Sequence, residues 1–259
     1  MDTSVRSSDG TRLTVRRLGA GIPVVLLHGS GGGLHSWQAV ADQLADRCEL
    51  WLVCRRGYAP SDIPAGPNSF PAEVADVRAV LDAVGAPAHL VGSSYGATLA
   101  LHAASTEGVR SLSLYEPPLF AAGPRLAPVL AAYRELLAAG DVAGATLLFL
   151  REVAQVPDAL LAVLGGAEPD PDGAVGSLHD LEAMAADDGD IGRWSAVPQP
   201  ALVLQGANTW APMPATMDRL AAALPRAERV VWAGQAHFAT STAPGLVADT
   251  LRRFLADRE

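Results

Sequence analysis

The stretch from His89 to Leu101, HLVGSSYGATLAL, ends an apolar run in Gly92-Ser93-Ser94-Tyr95-Gly96 and enters helical periodicity at once. A sharp strand-to-helix turn of this kind lifts its central side chain above a sheet, at the positive end of the following helix. Residues two before and two after the serine crowd neighbouring backbone in such a turn, and Gly92 and Gly96 meet that demand. Ser94 is thus a candidate nucleophile. The same residues also fit a plain small-residue turn, and the rest of the chain has to separate the two.

Two further features point to nucleophilic chemistry. After the run PVVLL comes His28-Gly29-Ser30-Gly31-Gly32-Gly33. Acyl transfer develops an oxyanion and needs donors already aimed at it. A glycine-rich loop at a strand end presents backbone N–H groups freely, so Ser30 N–H, paired with Tyr95 N–H just after the serine, would form the hole. An ordinary glycine loop is the alternative. A phosphate cradle is disfavoured, because no Gly-Lys-Ser/Thr follows and the spacing is not G-x-G-x-x-G. The third feature is His237 in WAGQAHFA, on a glycine-bearing loop after the last predicted strand. A serine hydroxyl is a poor nucleophile until a base takes its proton, and imidazole suits that task near neutral pH. Of the six histidines, His89, His102 and His179 fall within predicted elements and read as structural. His28 is expected to shape the oxyanion loop, and His35 either lines the pocket mouth or lies on the surface.

The elements that must position these residues alternate along the chain. TSVRSSDGTRLTVRRL reads as a hairpin with Asp9-Gly10 as a two-residue turn. Apolar runs IPVVLL, ELWLVC, AHLVG, VRSLSLY, PALVLQG and ERVVWAG are separated by stretches with helical spacing. Continuous apolar strands between helices indicate an α/β fold, a mostly parallel central sheet covered on both faces. From Leu119 to Ser195 the alternation stops, and the chain is alanine- and leucine-rich helix, weakest around LHDLEAMAA. The expected organisation is a core of residues 1–118 and 196–259, with residues 119–195 as a helical insertion over one end of the sheet.

Composition narrows the class. The 259 residues are 49% hydrophobic and 18% charged, enough for a sizeable core, and no apolar run approaches the roughly 18 residues of a membrane span. The start, MDTSVRSSDG, has no apolar h-region, so a cytoplasmic protein is expected. A net charge of −9 argues against nucleic acid as a partner. All 19 basic residues are arginine, which excludes lysine-based chemistry such as a Schiff base. Cys48 and Cys54 bracket a predicted strand too long to let them bridge, and neither belongs to a metal-binding spacing.

In LLHGSGGG, RRGYAPS, GSSYG and GQAHF, the chain resembles the α/β-hydrolase superfamily, and the resemblance covers nearly its whole length. The resemblance implies Ser94 as nucleophile, His237 as base, the Ser30 and Tyr95 amides as oxyanion hole, a helical cap over the carboxyl edge of the sheet, and no cofactor or metal. One member of the pattern is missing. The usual acid, in the loop after ALVLQG, is replaced by Thr209 in Gly206-Ala207-Asn208-Thr209-Trp210. Loss of an acid partner for the histidine can cost ~10⁴-fold in turnover. Glu116, in LYEPP just past the preceding strand, is the substitute: neighbouring strands are ~4.8 Å apart, so a longer carboxylate one strand closer reaches the same imidazole. The alternatives are that Glu116 is a solvated strand-end residue, or that Asp187, Asp188 or Asp190 supplies the acid.

Serine disfavours the epoxide hydrolases and haloalkane dehalogenases of the superfamily, which attack with aspartate. It points to acyl transfer on an ester, lactone, thioester, amide or diketone-like substrate, with ester or lactone hydrolysis needing the least machinery. Phe120, Phe149 and Trp194 in the helical segment, with His35, Thr209 and Trp210, are the candidate contacts of a small hydrophobic substrate. The competing class is a cofactor-independent lyase, cyclase or isomerase using His237 for proton transfer. A binding protein with a dead site is a third.

Overall fold

Alternate residues of each apolar run face opposite sides of one sheet, which is why the runs are continuous. The computed structural model describes residues 1–164, 168 and 170–258. In it Val25 and Leu27 enter one core with Leu90, while Val24 and Leu26 enter a second with Val91. The strands are β1 (Asp2–Arg6), β2 (Arg12–Leu18), β3 (Ile22–Leu27), β4 (Cys48–Val53), β5 (Ala88–Ser93), β6 (Val109–Tyr115), β7 (Ala201–Gly206) and β8 (Ala227–Trp232). Their spatial order is β1-β2-β4-β3-β5-β6-β7-β8. β2 runs antiparallel to β1 and β4, and every other pairing is parallel.

The helices are α1 (Gln38–Leu44), α2 (Phe70–Val84), α3 (Tyr95–His102), α4 (Ala127–Ala138), α5 (Val142–Leu148), α6 (Asp158–Leu164), α7 (Pro171–Ala186), α8 (Met213–Ala223), α9 (Ala239–Thr242) and α10 (Pro244–Ala256). α2, α3 and α8 pack on the first core, α1 and α10 on the second. α2 shows how its ends are specified: Ser69 Oγ accepts from Ala72 N–H, Pro71 opens the first turn, and Gly85 closes the helix at φ +72°.

The hairpin differs from the expected two-residue turn. Ser7 N–H bonds to Thr11 O and Gly10 N–H to Ser7 O, with Gly10 at φ +92°. This is a three-residue loop in which only the glycine takes the left-handed conformation. Among the described residues, α4 to α7 and short single-turn elements are all that lies between β6 and β7. The stretch with the weakest helical signal belongs to α7, whose 16 residues make it the longest helix of that segment; Asp170 caps it through Gly173 N–H. Its buried face carries Gly173, Gly176, Ser177, His179 and Asp180, so polarity hides its period. No described helix is long and apolar enough to cross a membrane.

The topology decides where a site can form. β4 lies on one side of β3 and β5 on the other, so the loops leaving the carboxyl ends of β3 and β5 diverge. Such a switch point opens a crevice at the sheet edge. The glycine loop after β3 and the serine turn after β5 are its two walls.

Candidate active site

Ser94 stands between β5 and α3 with φ 54° and ψ −124°, a conformation that costs a non-glycine residue about 1–3 kcal/mol. The turn is held by Ser94 N–H donating to Tyr115 O at 2.8 Å, and by Ser94 O accepting from Ala97 N–H and Thr98 N–H. Both flanking glycines are required sterically. A Cβ on Gly92 would stand 2.2 Å from Gly96 O, and one on Gly96 2.3 Å from Leu27 O. The half-buried Ser94 side chain is thereby presented at the start of α3.

The loop after β3 closes against it. A Cβ on Gly29 would lie 2.9 Å from Ser94 Cβ, so only glycine lets the loop approach so near. Ser30 shares cavity walls with Ser94. Among the described residues neither Ser30 N–H nor Tyr95 N–H takes a hydrogen-bond partner. Both are available to a ligand oxygen. His28, fully buried, is held well below the usual imidazole range by burial and then by the Arg55 charge, and is neutral. Its Nε2 accepts from Arg55 N–H at 3.1 Å, so the proton sits on Nδ1, which donates to Gly29 O at 2.8 Å.

On the other side of Ser94, His237 follows β8. Tyr115 O–H donates to Ala236 O and accepts from Ala239 N–H, fixing the loop on both sides of the imidazole. His237 Nδ1 lies 2.6 Å from Glu116 Oε2. Glu116 comes directly after β6, is fully buried, and has φ 46°, a second strained residue beside the first. Its Oε1 accepts from Gly206 N–H at 2.8 Å and its Oε2 also accepts from Thr209 O–H at 3.1 Å. In the neutral tautomer that this contact favours, the ring proton sits on Nδ1 and Nε2 is the acceptor. No hydrogen bond among the described residues joins Ser94 Oγ to the imidazole. The two side chains meet as walls of the same two cavities.

The two cavities differ in size and character. One, of about 30 Å³, is lined by Pro118, Phe120, Val153, Met184 and Met213. The other, of about 290 Å³, runs outward along His35, Ser36, Phe238, Thr240 and Ser241. Phe149, Ala154 and Trp210 line both. Phe149 opens a wide π-type turn, Phe149–Val153, that continues α5. Trp210 Nε1–H donates to Ala154 O at 2.9 Å, tying the loop after β7 to that turn, and its ring lies 5.7 Å from that of His237.

Of the residues singled out from sequence, the structure gathers Ser94, His237, Glu116, Ser30, Tyr95 and Trp210 here, with His35 exposed at the outer mouth. Thr209 touches Glu116 and lines neither cavity. Trp194 is not brought to the site: it packs edge-on against His102 at the end of α3, under the Arg193 guanidinium, and belongs to the core. The aspartates of the helical segment are also elsewhere. Asp187 and Asp188 bind Arg193, and Asp190 caps the turn at 191–196. Cys54 is inert, its thiol pushed up by burial and donating to Tyr58 O and Ala59 O. Met184, Met213 and Phe238 were not flagged by sequence, where a cavity methionine looks like any core methionine.

A model of the Alpha/beta hydrolase family matches residues 24–250. The chain is 35% identical over 99 residues to a putative carbamate hydrolase RutD of Azorhizobium caulinodans, covering 37% of each chain. It is 35% identical over 137 residues to a pimeloyl-[acyl-carrier protein] methyl ester esterase of Aeromonas salmonicida, covering 50% of this chain and 52% of the other. The chain thus aligns with about half or less of these curated relatives. A solved alpha/beta hydrolase from Sphaerobacter thermophilus superposes with a TM-score of 0.84 at 29% identity, covering 98% of this chain and all of that one.

Proposed function

The chain belongs to the alpha/beta hydrolase family, and from that premise we propose that it is a serine esterase or lactonase working through an acyl-enzyme at Ser94. The observation that carries this reading is the 2.6 Å contact of His237 Nδ1 with the buried Glu116 carboxylate, beside a serine held on a strained turn. As Ser94 Oγ attacks the carbonyl carbon, its proton passes to His237 Nε2. The Ser30 and Tyr95 amides receive the oxyanion, and Glu116 balances the imidazolium. Collapse expels the alkoxide, which takes the proton from His237. Water, deprotonated by the same nitrogen, then attacks the acyl-enzyme and releases the acid.

The cavities support a reading of the substrate. His237 must protonate the leaving group, and the residues that follow it, Phe238, Thr240 and Ser241, line only the larger opening of the two. The leaving group therefore occupies the larger side and the acyl chain the smaller one. A space of about 30 Å³ admits roughly two water-sized groups, which suits an acyl chain of two or three carbons. The helices between β6 and β7 act as a cap over both cavities.

The lack of a hydrogen bond from Ser94 Oγ to the imidazole favours one second reading, proton transfer at His237 without covalent catalysis. Hydrolysis of p-nitrophenyl acetate by the purified chain, lost in Ser94→Ala, supports the esterase. Undiminished turnover in Ser94→Ala contradicts it and supports the second reading.

A further inference from the structure

Arg55 lies two residues past β4, and its side chain is 1% exposed. A buried guanidinium needs partners for all five N–H donors, and where those donors go is informative. NH1 and NH2 grip Asp180 of α7 at 2.7 and 2.8 Å, and NH1 also reaches Glu73 of α2 at 3.0 Å. The remaining donors go to the loop beside the nucleophile: Nε bonds to His28 O at 2.9 Å and NH2 approaches Gly29 O at 3.4 Å.

That last contact bears on catalysis because Gly29 C=O and Ser30 N–H belong to one peptide unit. In a planar trans peptide the two point in opposite directions, so whatever holds Gly29 O aims Ser30 N–H. Three donors hold it: His28 Nδ1–H at 2.8 Å, Gly32 N–H at 3.2 Å and Arg55 NH2. The His28 contact itself depends on Arg55, whose backbone N–H occupies Nε2 and so sets the tautomer. This peptide turns about ψ of Gly29 and φ of Ser30, and glycine leaves the first of these rotations broadly free.

The same cluster reaches the rest of the oxyanion machinery. Tyr58 O–H donates to Asp180 at 2.7 Å while its oxygen accepts from Gly31 N–H at 3.1 Å. Tyr95, owner of the other free amide, donates its O–H to Glu73 at 2.5 Å, and its ring lies 4.3 Å under the guanidinium. We propose that Arg55, clamped by Asp180 of α7, is a positioning residue that holds the Gly29–Ser30 peptide with its N–H aimed at the reacting carbonyl oxygen. Seating of α7 over the sheet and assembly of the oxyanion hole are then one event. This rests on the esterase reading for its catalytic consequence, though not for the coupling itself.

The test is Asp180→Asn, which leaves one cation facing one carboxylate in the cluster and so strands no additional buried charge. Removing an oxyanion donor outright costs about 10²–10³-fold in kcat; misaiming one is expected to cost about 10- to 100-fold. For p-nitrophenyl acetate, kcat should fall by that factor with KM within about twofold. Affinity for a trifluoromethyl ketone, whose adduct carries the oxyanion, should fall in parallel. Hydrogen exchange at Gly31 and Gly32 should accelerate about tenfold. A folded Asp180→Asn enzyme with kcat, ketone affinity and exchange all within about twofold of wild type overturns the proposal, as does a loss confined to KM. If that variant does not fold, Arg55→Lys, which keeps a cation against Asp180 and Glu73 and removes the guanidinium donors to His28 O and Gly29 O, is read the same way. If wild type neither hydrolyses esters nor binds the ketone, the esterase reading has failed. Exchange at residues 28–33 then decides the coupling alone, with acceleration sustaining it and no change overturning it.

Discussion

Replacing Glu116 with glutamine sets up a conflict that can be worked from three contacts. The carboxylate accepts from Gly206 N–H at 2.8 Å, Thr209 O–H at 3.1 Å and His237 Nδ1–H at 2.6 Å, whereas an amide has one oxygen and one NH₂. With its oxygen toward Gly206, the NH₂ faces His237 Nδ1, which must become an acceptor; the proton moves to Nε2, the atom that receives the Ser94 proton in the proposed mechanism. With the amide reversed, NH₂ faces Gly206 N–H, two donors meet in a fully buried site, and the unmet pairing costs about 1–3 kcal/mol. The first arrangement disables the base; the second keeps the tautomer but loses the Gly206 pairing and the negative charge that would balance an imidazolium. The expected loss is roughly 10³- to 10⁴-fold in kcat, about 4–5.5 kcal/mol of transition-state stabilisation, with KM changed by less than about threefold. Steady-state hydrolysis of p-nitrophenyl acetate, with a thermal melt to establish folding, is the assay. The geometry also offers a rescue, because position 209 already touches the same edge of the carboxylate. Thr209→Asp added to Glu116→Gln should recover at least tenfold. A folded Glu116→Gln enzyme within about tenfold of wild type would refute the reasoning.

Met213→Ala opens the small cavity and should raise kcat/KM for p-nitrophenyl hexanoate relative to the acetate by at least about tenfold; an unchanged chain-length preference would place the acyl group elsewhere. His89, on β5 and 1% exposed, bonds to Ser111 Oγ and is held down to about 4 by burial. An unfolded imidazole titrates near 6.5, so the unfolded chain protonates first, and stability present above about pH 6.5 falls by up to about 3 kcal/mol as pH drops to 4. Urea midpoints at pH 7 and 4.5 should therefore diverge less in His89→Gln than in wild type, with neutral His28 supplying part of the slope that remains; equal divergence in both contradicts this origin.

The sheet was legible because both its faces are buried, so each strand is a short apolar run bounded by loops. The serine turn was legible for a steric reason, since Gly92 and Gly96 are dictated by backbone contacts of 2.2–2.3 Å that no other residue permits. Thr209 could be seen as a missing acid, but its conversion into a donor to Glu116 is a contact across 93 positions that no local pattern encodes. The same holds for Arg55 and Asp180, 125 positions apart. Asp9-Gly10 does not form the two-residue turn because Asp9 accepts from Thr11 N–H and pairs with Arg56, leaving one left-handed residue rather than two. Trp194 lies in the core and not at the site; an aromatic residue in a helical segment carries no mark of which face it buries.

The central claim is that Ser94 is an activated nucleophile, and fluorophosphonate labelling read by intact mass tests it most directly. Wild type should take one adduct, mapped to Ser94, with none on Ser94→Ala and slow labelling of Glu116→Gln. No adduct on folded wild type, or one that survives in Ser94→Ala, would contradict the account.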